Sequence, residues 1–220
     1  MTDVKICGLT DHSMVRVAAE AGATWAGFML VEKSPRNVLG TGADALEQVI
    51  ELSGFAQELG ILSVAVMVDP DEDLFEQVLH DVGPNAIQLH GNENPQQVQR
   101  MWRDASGICE VWKAFGIGNL EDLEKTEIFT GLDRVLLDAK APDGEDMQGG
   151  HGQVGDWSLF EDYAPEFPWL LAGGLTPENV GAAIAATGAH AVDVSSGVER
   201  ERGVKDEDLI RAFIDAVKTA

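Results

Sequence analysis

Cysteine is nearly absent: Cys7 and Cys109 are the only two in 220 residues. They make no disulfide framework and are too few for a cysteine-only zinc site. A chain of this length buries roughly 70% of its unfolded surface and needs no such staples. Lysine is scarce, at seven residues. Long apolar runs are missing as well, since no stretch approaches the roughly 20 apolar residues of a membrane span. The opening MTDVKICGLTDHS has no long apolar core behind a basic stretch, so it does not read as a secretory signal. These absences predict a soluble, reduced, cytoplasmic protein.

Acid is abundant instead. Against 15 Lys+Arg stand 38 Asp+Glu, a formal net charge of −23. Such a surface repels nucleic acid and anionic membranes, so neither is expected as a partner. The acids form no tail and are spread through helix-like segments such as Asp71–Asp73, Glu121–Glu124 and Asp206–Asp208. That distribution predicts a solvated acidic face on an ordinary fold. It suggests a halophilic protein, adapted to high salt, where screening removes the self-repulsion. The 45% hydrophobic content is that of a globular chain and excludes wholesale disorder.

Apolar runs and helix-like segments alternate. The strand candidates are VKIC (4–7), WAGFML (25–30), ILSVAVMV (61–68), AIQLH (86–90), CEVWKAF (109–115), RVLLDA (134–139), PWLLAGG (168–174) and HAVDVSS (190–196). ILSVAVMV is β-branched and apolar on both faces, as a buried parallel strand requires. Helices are expected from near Asp11, over 44–54 and 71–82, from Pro95 to about 105, over 119–126, briefly from Asp156, over 177–187, and over 206–218. Thr176 and Pro177 read as N-cap and first turn of the seventh. A Gly-rich loop covers 140–155. Eight βα units of about 27 residues fill the chain, which predicts an α/β fold: one (β/α)8 TIM barrel over residues 1–220, as a single domain. A doubly wound open sheet is the alternative.

In such a barrel, chemistry belongs at the carboxyl ends of the strands. Strands 7 and 8 end in Gly173-Gly174 and Ser195-Ser196-Gly197, which offer close backbone approach and N–H donors. With a short helix expected near Val198, these loops read as a phosphate site. The alternative is that the glycines merely terminate strands. Cys7 and Asp138, each at a strand end, are the acid–base candidates. A buried small hydrophobe and an ion pair with Lys140 are the plainer alternatives for them. Cys109, at the other end of the barrel, reads as structural. Arg36, in a Ser-Pro-Arg turn, can clamp a carboxylate with two parallel bonds, or simply be solvated. His90 can bind substrate or be satisfied by backbone, and its spacing from Asp69 supports no metal site. Asp193 can orient polar groups inside the barrel or pair with Lys5. Lys5 beside Cys7 would raise the thiolate fraction.

The segments VKICGLT (4–10), GFMLVEKSPRNV (27–38), AIQLHGNE (86–93), LLDAK (136–140), GGHGQVGDW (149–157), LAGGLTPENV (171–180) and VDVSSGVE with GVKD (192–199, 203–206) occur in one order along the chain. With VAVMVD (64–69), they make the chain resemble the phosphoribosylanthranilate isomerases of tryptophan biosynthesis. The resemblance implies an Amadori rearrangement of N-(5′-phosphoribosyl)anthranilate, a phosphorylated small molecule, without metal or organic cofactor. It puts the general base on Cys7, the general acid on Asp138, the anthranilate carboxylate on Arg36, and the phosphate on Gly173, Gly174, Ser195, Ser196 and Gly197. His90 and Asp193 are expected among the substrate contacts. The Gly-rich loop 140–155 is expected to close as a lid, where His151 departs from the small hydroxyl residue expected, and the glycines of 39–45 also differ from the family pattern. The state expected is monomer or homodimer. Another phosphosugar isomerase or epimerase, or a non-catalytic phosphate-binding barrel, are the alternatives; Cys7 with Arg36 speaks against the former.

Overall fold

Apolar runs too short for helices and rich in branched side chains pair side by side. The computed structural model describes residues 2–139, 156–161, 163, 165 and 167–220. Its strands β1 (Asp3–Cys7), β2 (Trp25–Leu30), β3 (Leu62–Met67), β4 (Ala86–Leu89), β5 (Glu110–Ile117), β6 (Arg134–Ala139), β7 (Trp169–Ala172) and β8 (Ala191–Val194) close into a barrel. Every neighbouring pair is parallel, and β8 pairs back onto β1 with Lys5 opposite Asp193. The expected (β/α)8 architecture is therefore the one observed. A short antiparallel ribbon, β9 (Glu199–Glu201) and β10 (Val204–Lys205), follows β8.

Strand periodicity divides the core in two. One set of side chains points out and packs under the helices, with Phe28, Ile87 and Val135 among its members. The other fills the barrel, including Val66, Trp112, Leu136 and Leu170. At the amino end of the strands, Trp25 and Trp112 meet edge to face at 5.4 Å, with the Arg134 guanidinium over both rings. This plug leaves only the opposite mouth for chemistry.

Helices α1 (His12–Ala21), α2 (Glu47–Glu58), α3 (Glu72–Gln77), α4 (Pro95–Ala105), α5 (Leu120–Glu124), α6 (Val180–Thr187) and α7 (Glu207–Lys218) surround the barrel. Local signals set their starts. Asp11, Asp71 and Asp206 each accept a backbone N–H of the first turn, and Asn94 with Gln97 forms a reciprocal capping box ahead of Pro95. None of the described helices is long and apolar enough to cross a membrane.

Four local expectations need correction. The helix expected over 44–54 begins at Glu47, behind a 3₁₀ turn at Gly42–Asp44, and runs to Glu58. The helix expected over 177–187 begins at Val180, because Asn179 folds back and accepts the Thr176 N–H at 2.8 Å. Thr176 is therefore not its cap. The short helix near Val198 is a single 3₁₀ turn, Ser196–Val198, cut off by the ribbon. The one from Asp156 is likewise a 3₁₀ turn, Trp157–Phe160. The loop 140–155, with Lys140 and His151, lies outside the described residues.

Candidate active site

The inward periodicity brings Cys7, Gln88, Asp138 and Asp193 to the open mouth of the barrel. With Arg36, His90 and the loops carrying Gly173-Gly174 and Ser195-Ser196-Gly197, they line one cleft of about 200 Å³. All the residues expected to form a site thus converge. A more spacious hollow, about 490 Å³, lies on the flank between α3 and α4, walled by Glu72, Glu76 and Asp104 and remote from Cys7 and Asp138.

Lys5 is fully buried and donates to Asp193 at 2.7 Å. The ion pair was one of two readings open from the sequence, and adjacency of β1 and β8 is what makes it. Burial works against the ammonium, but Asp193 and the neighbouring thiol hold Lys5 above its ordinary value. Burial pushes the Cys7 thiol up; Lys5 opposes this without cancelling it. The close approach depends on Gly27, where a Cβ would lie 3.0 Å from Cys7 Sγ and 3.1 Å from Lys5 Nζ. Gly27→Ala should therefore overpack the mouth and cost about 1–3 kcal/mol in urea unfolding. An unchanged midpoint would mean that thiol and ammonium separate freely.

Asp138 ends β6 opposite Ala172 of β7. The residue after Ala172, Gly173, turns with φ +98°, and a Cβ there would come within 2.8 Å of Asp138 Oδ1. Only glycine lets this loop pass so close to the carboxylate. The loop is fixed from behind by Asn179, whose amide donates to the Gly174 carbonyl at 2.9 Å.

Arg36 does clamp a carboxylate, but one from its own chain. Its Nε and Nη2 donate to Glu199 at 2.5 and 2.7 Å. Glu199 also accepts from Lys205 at 2.8 Å, and Lys205 donates to the Ser195 carbonyl at 2.8 Å. One carboxylate thereby ties the Arg36 turn to the loop after β8. Burial opposes its ionisation, yet Arg36, Lys205 and the Gly203 N–H together hold it at about 2. Burial holds Lys205 below its ordinary value.

His90 extends the β3–β4 pairing by one bond, its N–H donating to Met67 at 2.8 Å. Its Nδ1 lies 2.9 Å from Gln88 Nε2. Burial, then Lys5, keep the imidazole below its ordinary value and hence neutral near pH 7. Asp69 makes no pair with it: the Asp69 carboxylate accepts the Asn92 N–H, while Glu93 accepts the Asp69 N–H and pairs with buried Lys113 at 3.1 Å. No group of three or more metal-ligating side chains occurs among the described residues. Cys109 stands just before β5, outside the cleft, its thiol raised to about 11 chiefly by burial.

Residues 4–216 match the family described as N-(5′-phosphoribosyl)anthranilate (PRA) isomerase. A protein of that name from Hyphomonas neptunium is 44% identical over 220 residues, covering 100% of this chain and 99% of the relative. The chain belongs to the phosphoribosylanthranilate isomerase family. The solved isomerase of Thermotoga maritima superposes with a TM-score of 0.84 at 35% identity, covering all of both chains. A solved structure of phosphoribosyl anthranilate isomerase in complex with reduced 1-(o-carboxyphenylamino)-1-deoxyribulose 5-phosphate superposes at 0.80 with 33% identity, again over all of both chains.

Four further residues at or beside the cleft, Glu199, Lys205, Gln88 and Gly27, carry no assigned role in the sequence. Glu199 and Lys205 lie in segments that carry the family resemblance, but their partnership with Arg36 appears only once β9 and β10 fold. Gln88 also lies in a segment that carries the resemblance, AIQLHGNE, and its even position in the strand turns it inward, but neither assigns it a role. Gly27, inside an apolar strand, was a hint of close backbone approach.

Proposed function

We propose that this chain isomerises N-(5′-phosphoribosyl)anthranilate to 1-(2-carboxyphenylamino)-1-deoxyribulose 5-phosphate, in tryptophan biosynthesis in the cytoplasm. The observation that carries the reading is that Cys7, Asp138, Arg36 and two Gly/Ser loops line one cleft in a member of this family. Backbone N–H groups of Gly173, Gly174, Ser195, Ser196 and Gly197 cradle the phosphate. Arg36, oriented by Glu199, offers its remaining N–H groups to the anthranilate carboxylate. His90 and Asp193 complete the contacts between these ends.

Asp138 in its protonated form gives a proton to the ribose ring oxygen. The C1′–O bond breaks as the anthranilate nitrogen lone pair forms the C1′=N bond of a protonated Schiff base. The Cys7 thiolate then removes the C2′ proton, and the C–H electrons flow to the nitrogen to give the enol-amine. Proton return at C1′ and loss of the C2′ hydroxyl proton give the ketone. Burial raises the thiol, so the thiolate forms by loss of its proton to solvent before substrate fills the cleft, and once formed it is a strong base. The Lys5 ammonium, held by Asp193, stabilises that form. The test is carbon NMR of the product: a ketone carbon at C2′ supports the reading, and an unaltered aldose overturns it.

The net charge of −23 supports a second proposal, adaptation to high salt. Raising potassium chloride from about 0.1 to 2 M should lift the melting midpoint by roughly 5–10 °C as surface repulsion is screened. A flat or falling midpoint would refute it.

A further inference from the structure

Gln88 is 1% exposed, at the inward position of β4 next to the mouth. Its Nε2 is engaged by His90 Nδ1 at 2.9 Å. Its Oε1 is buried and has no hydrogen-bond partner among the described residues. The side chain lines the same cleft as Cys7 and Asp138. A buried amide oxygen without a donor carries the full penalty of its lost hydration, and a folded protein keeps such a group where something else satisfies it. Turning the amide over removes nothing: the oxygen would then face His90 and the NH₂ would be orphaned. The deficit belongs to the site.

We propose that Gln88 is a substrate-binding residue whose amide oxygen accepts a hydrogen bond from a hydroxyl or N–H of the bound phosphosugar amine. The inference rests on the isomerase reading above. The buried ammonium groups of Lys5 and Lys205 are engaged elsewhere, Lys5 by Asp193 and Lys205 by Glu199 and Ser195. The same amide donates to His90 Nδ1, which leaves the neutral imidazole with its proton on Nε2. Gln88 thus serves the substrate directly through its oxygen and sets the His90 tautomer through its nitrogen.

The two roles and a purely structural one separate experimentally. Gln88→Met keeps the volume and removes the unsatisfied oxygen. In the free protein its melting midpoint should equal that of the wild type or exceed it by about 2–4 °C. With N-(5′-phosphoribosyl)anthranilate, kcat/KM should fall about 10- to 100-fold. In a His90→Ala background, Gln88→Met should still lower kcat/KM by about fivefold or more, because the oxygen acts without the imidazole. The proposal is overturned if Gln88→Met melts lower with kcat/KM within about twofold of wild type, or if its effect vanishes without His90. Failure of both Gln88→Met and Gln88→Leu to fold would mean that the amide is satisfied within the protein, and would overturn it too. A wild type that leaves this substrate unchanged overturns the isomerase reading and this proposal together; an active wild type with an unaffected Gln88→Met removes this proposal alone.

Discussion

Cys7→Ser lowers kcat/KM for N-(5′-phosphoribosyl)anthranilate by about 10³-fold, and Asp138→Asn does so by a comparable factor. A serine hydroxyl fills nearly the same volume as the thiol but does not ionise in the accessible pH range, so there is no thiolate for Lys5 to stabilise. Asparagine keeps the shape of Asp138 and has no acidic proton to give the ring oxygen. Neither side chain is placed to hold the phosphate or the carboxylate end, so KM should change little while kcat collapses. Folding should survive both changes, since Cys7 sits in a packed layer that serine nearly fills and Asp138 stands at the edge of the cleft. Initial rates across substrate concentration, beside circular dichroism, check the split. Activity within tenfold of wild type in Cys7→Ser would remove the thiol from the base role.

Glu199→Ala should be the most damaging change outside the acid–base pair. It leaves Lys205, 1% exposed in its side chain, and the mostly buried Arg36 guanidinium without their shared anion. Removing one partner from a buried ionic group costs about 3–5 kcal/mol. Both ends of the cleft should loosen together, because the same carboxylate orients Arg36 and, through Lys205, Ser195. KM should rise more than kcat falls. The pH dependence gives a second check. Glu199 titrates at about 2 in the fold against 4.5 ordinarily. A carboxyl so depressed contributes stability that is complete above pH 4.5 and is lost as pH falls toward 2, by at most about 3 kcal/mol. Urea unfolding of Glu199→Gln should accordingly lie below wild type at pH 7 and approach it near pH 2–3. A constant gap between the two proteins across that range would contradict the assignment.

These residues mark the limit of what the sequence displays. The β2 and β6 spans, Trp25–Leu30 and Arg134–Ala139, are legible to the residue, and the α4 span, Pro95–Ala105, approximately so. Branched apolar runs and a first-turn proline are local, and local signals survive in a sequence. The position of the candidate cleft was legible too, because a parallel barrel collects every strand end at one mouth, and Cys7 and Asp138 each stand at a strand end. The start of α6 was not, because Asn179 bonds back to Thr176 where a Thr-Pro pair suggested a cap. Nor were the partnerships. Arg36 and Glu199 are 163 residues apart, and an arginine in a loop looks the same whether it is solvated, free for substrate or already clamped. The orphaned oxygen of Gln88 is a property of packing, which strand periodicity alone cannot express.

The central claim is that this cleft carries out the isomerisation. Its most direct test is the fluorescence of N-(5′-phosphoribosyl)anthranilate, followed after adding purified wild-type protein in both dilute and molar potassium chloride. The account predicts rapid, protein-dependent loss of signal, faster in molar salt. A folded protein that leaves the signal to decay at the spontaneous rate in both salts would contradict it.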